Sequence, residues 1–219
     1  MKIIPKLLLV LAAFASGLTL AADIVPPDVL VRNTSKEVLE IIKKDKDIQT
    51  GDRKKLLDLV ETKILPHFDF TRITRLAVGK NWRTATPEQQ QALVKEFRTL
   101  LVRTYSTALT SYRDQTYEVK TADVKGDDAT VKVEINQPGG QPIIIDYSLQ
   151  KTQQGWKVYD VIVAGISLVT SYRSTFNNEI NRSGIDGLIK TLMDKNEKLE
   201  SGEEKSANLQ VQSEKNDCS

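Results

Sequence analysis

Residues 86–112 read TPEQQQALVKEFRTLLVRTYSTALTSY, and this stretch decides what the rest of the fold must supply. Thr86 can cap a helix, Pro87 suits its first position, and Gln89 stands three residues after the cap, so the three residues predict a capping box. Beyond them, apolar residues recur at helical spacing for about seven turns. So long an apolar stripe requires a broad apolar partner surface.

The residues that follow predict that surface as an antiparallel sheet. Apolar and polar side chains alternate in segments that begin near Tyr117, Thr130, Ile143 and Trp156. Short turns rich in Gly, Pro and Asp separate the segments. Four strands joined in this way form a meander with one apolar and one polar face.

Helical spacing on both sides of the strands predicts five or six helices. Residues 28–44, 52–64 and 68–78 give three helices before the capping box, and residues 45–51 are expected to be a charge-rich connection. Helical spacing returns at Leu168, stops at Ser183-Gly184, and resumes afterwards. The fold class is therefore α+β, with a sheet of four or slightly more strands packed by about five helices.

The two ends of the chain differ from its middle. Residues 1–22 combine a basic start, an apolar run and small residues at the exit, which is typical of a cleaved secretory signal peptide. Residues 23–198 then form a single domain, expected to be soluble because they contain no further long apolar run. The polar composition of residues 199–219 predicts a disordered tail.

Charge and residue usage exclude several classes of function. The chain has 31 basic and 29 acidic residues, and removal of Lys2 and Lys6 with the signal peptide leaves 29 of each. Nucleic-acid binding requires a basic surface, so we expect none. The single Cys218 excludes an intramolecular disulfide, and the single His67 excludes a histidine cluster for a metal. We expect no metal, no cofactor and a monomer.

Short motifs that resemble catalytic sites lack the required context. Gly165-Ile166-Ser167-Leu168-Val169 is similar to a nucleophile elbow, but Val169 replaces the second glycine. A small hydrolase or isomerase using Asp160 or His67 remains the alternative function. We expect instead that Asp69 caps a helix beside an exposed His67, and that Asp160 is a buried carboxylate bonded to the backbone, an Arg or a Tyr. A third hypothesis is an interaction module with a filled core.

Several separate blocks of sequence, in the right order, resemble the MlaC family of toluene-tolerance auxiliary proteins. The resemblance covers nearly all of residues 23–198. It is carried by these blocks: Leu65–Phe70, Leu76–Trp82, Ala85–Gln89, Phe97–Leu101, Trp156–Val161 and Ser183–Leu188.

The resemblance implies a function and a set of partners. It implies a periplasmic phospholipid carrier, not an enzyme, that maintains the lipid asymmetry of the outer membrane. Its partners would be an outer-membrane lipoprotein–porin complex and an inner-membrane ABC transporter bearing an MCE-domain protein. The implied fold is NTF2-like, a curved antiparallel sheet packed by helices around an apolar cavity that holds the lipid.

A lipid carrier must keep acyl chains away from water. Two chains of about sixteen carbons would cost on the order of 25 kcal/mol if exposed, whereas the charged headgroup is best left outside. We expect the long helix and the apolar face of the sheet to stand apart and form the cavity. The candidate lining residues are Phe97, Leu101, Tyr105, Leu109, Ile145, Tyr147, Val161, Val163, Ile166, Val169, Tyr172 and Phe176.

Overall fold

The computed structural model describes residues 24–111 and 115–201. The predicted signal peptide lies outside these residues, as does the predicted tail from residue 202 onward. In the part of the chain that is described, no helix has both the length and the apolar character to span a membrane.

The described residues form six α-helices, six β-strands and several short 3-10 or π segments. The helices are α1 Pro27–Lys44, α2 Lys46–Thr50, α3 Arg53–Leu59, α4 Phe70–Val78, α5 Pro87–Tyr105 and α6 Leu168–Ser201. The strands are β1 Thr116–Val119, β2 Asp123–Lys125, β3 Asp128–Asn136, β4 Ile143–Thr152, β5 Gly155–Val163 and β6 Ile166–Ser167. The predicted α+β class is confirmed.

The short helix α2 corrects the expectation that residues 45–51 are only a connection. The Asp45 carboxylate accepts hydrogen bonds from the backbone N–H groups of Asp47 and Ile48, at 2.9 and 3.2 Å. Gly51 ends the helix with φ 102°, a conformation that favours glycine. Ile48 is buried, so this segment adds a side chain to the core.

The third helix changes its hydrogen-bonding pattern before it reaches the sheet. After α3 the chain continues as a π-helix over Val60–Ile64 and a 3-10 turn over Leu65–His67. Pro66 has no N–H to donate and ends regular helix here. The chain then meets β5, where the Asp69 N–H donates to the Val158 carbonyl at 2.9 Å.

The predicted capping box starts α5. The Gln89 N–H donates to the Thr86 hydroxyl at 3.2 Å, and the Gln89 side chain accepts from the Thr86 N–H at 3.0 Å. The α-helix ends at Tyr105, earlier than the apolar stripe predicts, and a 3-10 helix over Ser106–Ser111 follows. Ser and Thr are frequent in this last part, and they compete for backbone hydrogen bonds and weaken an α-helix.

The sheet is antiparallel and open, with the order β1-β3-β4-β5-β6 and β2 also paired to β3. The predicted meander is therefore present. Strands β2 and β6 were not predicted because segments of three and two residues are too short for alternation to be recognised.

A β-bulge in β5 determines which side chains share a face of the sheet. Leu149 is paired with Val158, but Ser148 is paired with Asp160, so Tyr159 is an extra residue. Before the bulge, Val158 lies on the apolar face. After it, Val161 pairs with Tyr147 and returns to that same face.

The last helix contains the predicted break. Gly184 has φ 73° and ψ −176°, a backbone conformation that only glycine adopts readily. Beyond it, α6 continues to Ser201, three residues past the predicted domain boundary. Arg53 donates to the Leu199 carbonyl at 2.8 Å, and Arg103 donates to the Glu200 carboxylate at 3.0 Å.

Helices α4, α5 and α6 enclose a densely filled apolar cluster, called the helical core below. Its centre is three aromatic rings, Phe97, Tyr172 and Phe176, with centroids 4.8 to 5.6 Å apart. Its fully buried residues are Ile73, Ala77, Val78, Leu93, Phe97, Leu100, Val169, Phe176, Leu188 and Leu192. The helical core contacts the sheet through Tyr159 of β5.

Candidate functional site

A separate apolar cleft lies between α1 and the apolar face of the sheet. Its volume is about 310 Å³, at the low end of the roughly 300–1,000 Å³ that ligand sites span. The side chains lining it are Leu30, Val31, Thr34, Ser35, Val38, Leu39, Ile64, His67, Phe68, Ala108, Leu109, Tyr117, Val133, Ile135, Ile145, Tyr147 and Val158. A half-open apolar space of this kind can hold a hydrocarbon group.

Helix α1 forms one wall of the cleft because the side chains on its inner face recur every four residues. Leu30, Thr34 and Val38 form one row along the helix, and Val31, Ser35 and Leu39 form the next. Arg32 fixes this helix to the sheet by donating to the Val119 carbonyl at 3.2 Å.

The sheet forms the opposite wall. Ile145 and Tyr147 of β4 lie beside Val133 of β3, and both strands turn these side chains toward α1. Burial raises the pKa of the Tyr147 hydroxyl, so this group stays neutral throughout the physiological range. This wall therefore presents no charge to a ligand.

The predicted lining residues occupy three different places. Leu109, Ile145 and Tyr147 line the cleft. Val161 and Val163 lie on the same face of the sheet, because they pair with Tyr147 and Ile145. The four strand residues therefore share one face of the sheet, and Leu109 of the 3-10 helix lines the same cleft.

Two further predicted residues lie at the surface. Ile166 is 63% exposed and Tyr105 is 43% exposed. Ile166 pairs with Val163 across the β5–β6 turn, so it adjoins the apolar face of the sheet. Exposed side chains of this size are available for contact with a ligand or a partner.

The remaining predicted residues belong to the helical core. Phe97, Val169 and Phe176 are buried there, and Leu101 and Tyr172 pack against them. Their aromatic rings fill the space between α5 and α6, so the structure has no opening at this place among the described residues. The expected cavity between the long helix and the sheet is not seen here, and the open space lies under α1 instead.

Sequence reasoning did not assign α1 to the lining. Its amphipathic pattern is visible, with Val31, Val38 and Leu39 at helical spacing. An amphipathic pattern predicts that one face of a helix is buried, but it does not identify the element against which that face packs. The partner strands lie about a hundred residues further along the chain, so only the tertiary structure identifies the pairing.

Three basic side chains, Lys63, His67 and Lys157, are called the basic rim below: His67 lines the cleft, Lys157 contacts the adjacent Pro66, and Lys63 precedes the lining residue Ile64. His67 lines the cleft and is half-buried, which corrects the expectation of an exposed imidazole. Burial lowers the pKa of His67, the nearby Lys157 ammonium lowers it further, and Glu37 opposes both. His67 is therefore mostly neutral at pH 7 in the empty protein.

The two lysines of the basic rim are held by different partners. Lys157 donates to the Pro66 carbonyl at 2.6 Å, next to His67. Lys63 forms an ion pair with Glu37 of α1 at 2.6 Å. Among the described residues, no carboxylate lies within ion-pair distance of Lys157.

Asp160, the carboxylate of the catalytic alternative, and Asp69 both serve as structural acceptors. Asp160 accepts hydrogen bonds from the Val169 N–H at 3.1 Å and from the Ser167 hydroxyl at 2.6 Å, which holds the start of α6. Asp69 accepts from the Arg72 N–H at 2.8 Å and caps α4. These contacts confirm the predicted cap at Asp69 and the predicted backbone bond of Asp160, whereas Asp160 is half-buried and not fully buried as expected.

Residues 24–111 and 115–201 also contain no cluster of three His, Cys, Asp or Glu side chains that could hold a metal ion.

The fold and the sequence match characterised proteins along most of the chain. A family model described as "MlaC protein" matches residues 32–194. The Haemophilus influenzae "Intermembrane phospholipid transport system binding protein MlaC" is 26% identical over 185 residues, covering 82% of this chain and 86% of that protein. The Pseudomonas putida "Toluene tolerance protein ttg2D" is 34% identical over 190 residues, covering 85% and 86%.

A solved structure is similar as well. The phospholipid-binding protein from Ralstonia solanacearum, determined in complex with a phospholipid, superposes with a TM-score of 0.73 and is 38% identical. The match covers 80% of this chain and 98% of that one.

Proposed function

This chain belongs to the MlaC family, and from that premise we propose that it binds phospholipid and carries it through the periplasm. The observation that carries the proposal is the apolar cleft between α1 and the sheet. The relative from Ralstonia solanacearum, with the same fold, was solved with a phospholipid. An apolar space that opens to solvent suits a lipid with buried tails and an exposed headgroup.

The acyl chains would follow the apolar face of the sheet beyond the cleft. The cleft volume of about 310 Å³ is small for two long chains. The apolar face continues from Tyr147 to Val161 and Val163 and adjoins the exposed Ile166. Lipid lying along this path would cover apolar side chains that otherwise face water, which favours binding. In this proposal, α1 or its neighbours move outward when lipid enters.

The same family membership supports a proposed role between the two membranes. The chain would receive and deliver lipid at an outer-membrane lipoprotein–porin complex and at an inner-membrane ABC transporter with an MCE-domain protein. Residues 1–22 would direct its export and be removed. Binding and hand-off need no chemical step, so the proposal includes no catalysis, and Asp160 remains a structural group.

Extraction of the purified protein tests the proposal directly. Organic solvent should release phospholipid, and mass spectrometry should find about one lipid or more per protein. A protein that carries no phospholipid after expression, and takes none up from vesicles, would contradict the function.

A pair of variants tests the path of the acyl chains. Ile166→Glu places a charge at the exposed end of the apolar face and should reduce lipid loading strongly. The matched control is Val124→Glu, since Val124 is 50% exposed on β2 and does not line the cleft. Equal lipid loading of the two variants would mean that Ile166 does not lie on the path of the acyl chains.

A further inference from the structure

The walls of the cleft are mostly apolar, and only a few polar side chains line it. Thr34 and Ser35 of α1 and His67 of the 3-10 turn all line the cleft. Glu37, on the same helix as Thr34, is close enough to His67 to raise its pKa. Thr34, Ser35 and His67 therefore line the same cleft, and the carboxylate of Glu37 on α1 acts on the His67 imidazole.

The charge at this opening is positive. The basic rim and its one acidic neighbour among the described residues carry one net positive charge when the imidazole is neutral, because the carboxylate of Glu37 pairs with Lys63 and leaves the charge of Lys157 unopposed. Protonation of His67 would raise this net charge to two. The rest of the cleft wall carries no charged side chain.

A phospholipid headgroup always contains a phosphate with a negative charge. Ammonium and imidazolium groups form charge-assisted hydrogen bonds with phosphate. An anion at the mouth of an apolar space is also less screened than on an open surface, so nearby cations attract it more strongly.

We propose that the basic rim is the headgroup subsite, where His67 and Lys157 hold the phosphate of the bound phospholipid. The inference rests on the proposed function, since it assumes that lipid tails occupy the cleft. The Glu37 carboxylate repels the phosphate in this arrangement. In the empty protein, its ion pair with Lys63 neutralises part of the positive charge of the basic rim.

The proposal predicts a pH dependence with a defined sign. Phosphate favours the charged imidazolium, so lipid binding raises the pKa of His67 above its value in the empty protein. Binding of a phosphodiester lipid should be strongest below the pKa of the empty protein and should weaken as pH rises through the pKa of the complex. The charged groups that act on this imidazole are Lys157 of β5 and Glu37 of α1.

The test compares two lipids with identical acyl chains, phosphatidylglycerol and diacylglycerol, which differ in the phosphate-containing headgroup. Delipidated protein is titrated with each, and bound lipid is measured by mass spectrometry. We expect the unchanged protein to prefer phosphatidylglycerol, and His67→Gln with Lys157→Gln to bind it roughly tenfold more weakly. The same double variant should bind diacylglycerol as before. His67→Gln alone should remove the pH dependence.

Two further variants exclude a merely structural effect. Glu37→Gln removes the opposing carboxylate and should strengthen phosphatidylglycerol binding, an outcome that damage to the fold does not produce. Lys151→Gln removes an exposed lysine on neighbouring β4 that does not line the cleft, and it should change nothing.

The outcomes separate this proposal from the function on which it rests. Equal affinity for the two lipids, or equal loss of both in the double variant, overturns the headgroup subsite and leaves the carrier intact. Oleate binding as tightly as phosphatidylglycerol would assign the basic rim to carboxylates instead of phosphate. Failure to bind any of these lipids overturns both proposals.

Discussion

The helical core and the α1 cleft are built from similar apolar side chains, yet only one of them is filled. In the helical core, Phe97 meets both Tyr172 and Phe176 edge to face, with ring centroids 4.8 Å apart. In the cleft, Ile145 and Tyr147 face α1 across open volume. We infer that the helical core provides most of the packing that stabilises the fold, whereas the cleft is less tightly packed and can accept a ligand.

The largest expected effect is the truncation of a ring at the centre of the helical core. Phe176→Ala should lower the free energy of unfolding by about 3 to 5 kcal/mol, because it leaves a cavity among rigid neighbours. Urea denaturation followed by circular dichroism measures this loss. A loss below about 1 kcal/mol, well under that range, would mean that the helical core is less tightly packed than its ring contacts indicate.

A smaller effect is expected at Asp160, which joins the two regions. Asp160→Asn keeps the size of the side chain but removes its charge from the bonds to Val169 and Ser167, at a cost of about 2 kcal/mol. Lipid loading of the folded variant should persist. Normal stability with loss of function would instead favour the catalytic alternative.

The cleft should tolerate truncation better than the helical core. Ile145→Ala should cost no more than about 2 kcal/mol in delipidated protein, because part of this side chain already faces open space. The same urea titration provides the comparison with Phe176→Ala. Equal losses at the two positions would contradict the division between a filled and an open region.

The smallest effect concerns the turn beside the lipid path. Ala164 and Gly165 have φ of 49° and 81°, as a type I′ turn requires, and alanine is unfavourable there. Ala164→Asn should raise the free energy of unfolding by about 0.5 kcal/mol, because asparagine tolerates this conformation. The thermal midpoint should rise slightly without a change in lipid loading. A decrease in the thermal midpoint would mean that the turn adopts a different backbone conformation in solution.

Local patterns predicted most of the fold. The capping box at Thr86 and Gln89 and the break at Gly184 each depend on residues a few positions apart, so their sequence signals are direct. Helix α2 depends on one Asp cap and one Gly in a charged segment, and strands β2 and β6 are very short. These elements were missed because so few residues form no recognisable period.

The binding site was harder to predict because its parts are distant in sequence. The apolar stripes of α1 and α5 are of the same kind, and the sequence does not state which one leaves a space beside the sheet. The long stripe of α5 led to the prediction that Phe97 and Phe176 line the cavity. In the structure, their rings pack against each other instead. Ile145, Tyr147 and Leu109 were assigned to the lining from the alternation and the stripe, and the structure places these three at the cleft.

The bulge at Tyr159 makes the number of residues in β5 as important as their identity. With the extra residue, Tyr159 meets the helical core while Val161 and Val163 still reach the opposite layer. Loss of that single residue would leave a regular ladder, with Val161 still opposite Tyr147 and Val163 still opposite Ile145, but it would remove the aromatic ring that packs on the helical core. The extra residue therefore lets one strand serve two layers at once, and a variant that lacks it should keep the pairing of β4 with β5 while losing this contact between the sheet and the helices.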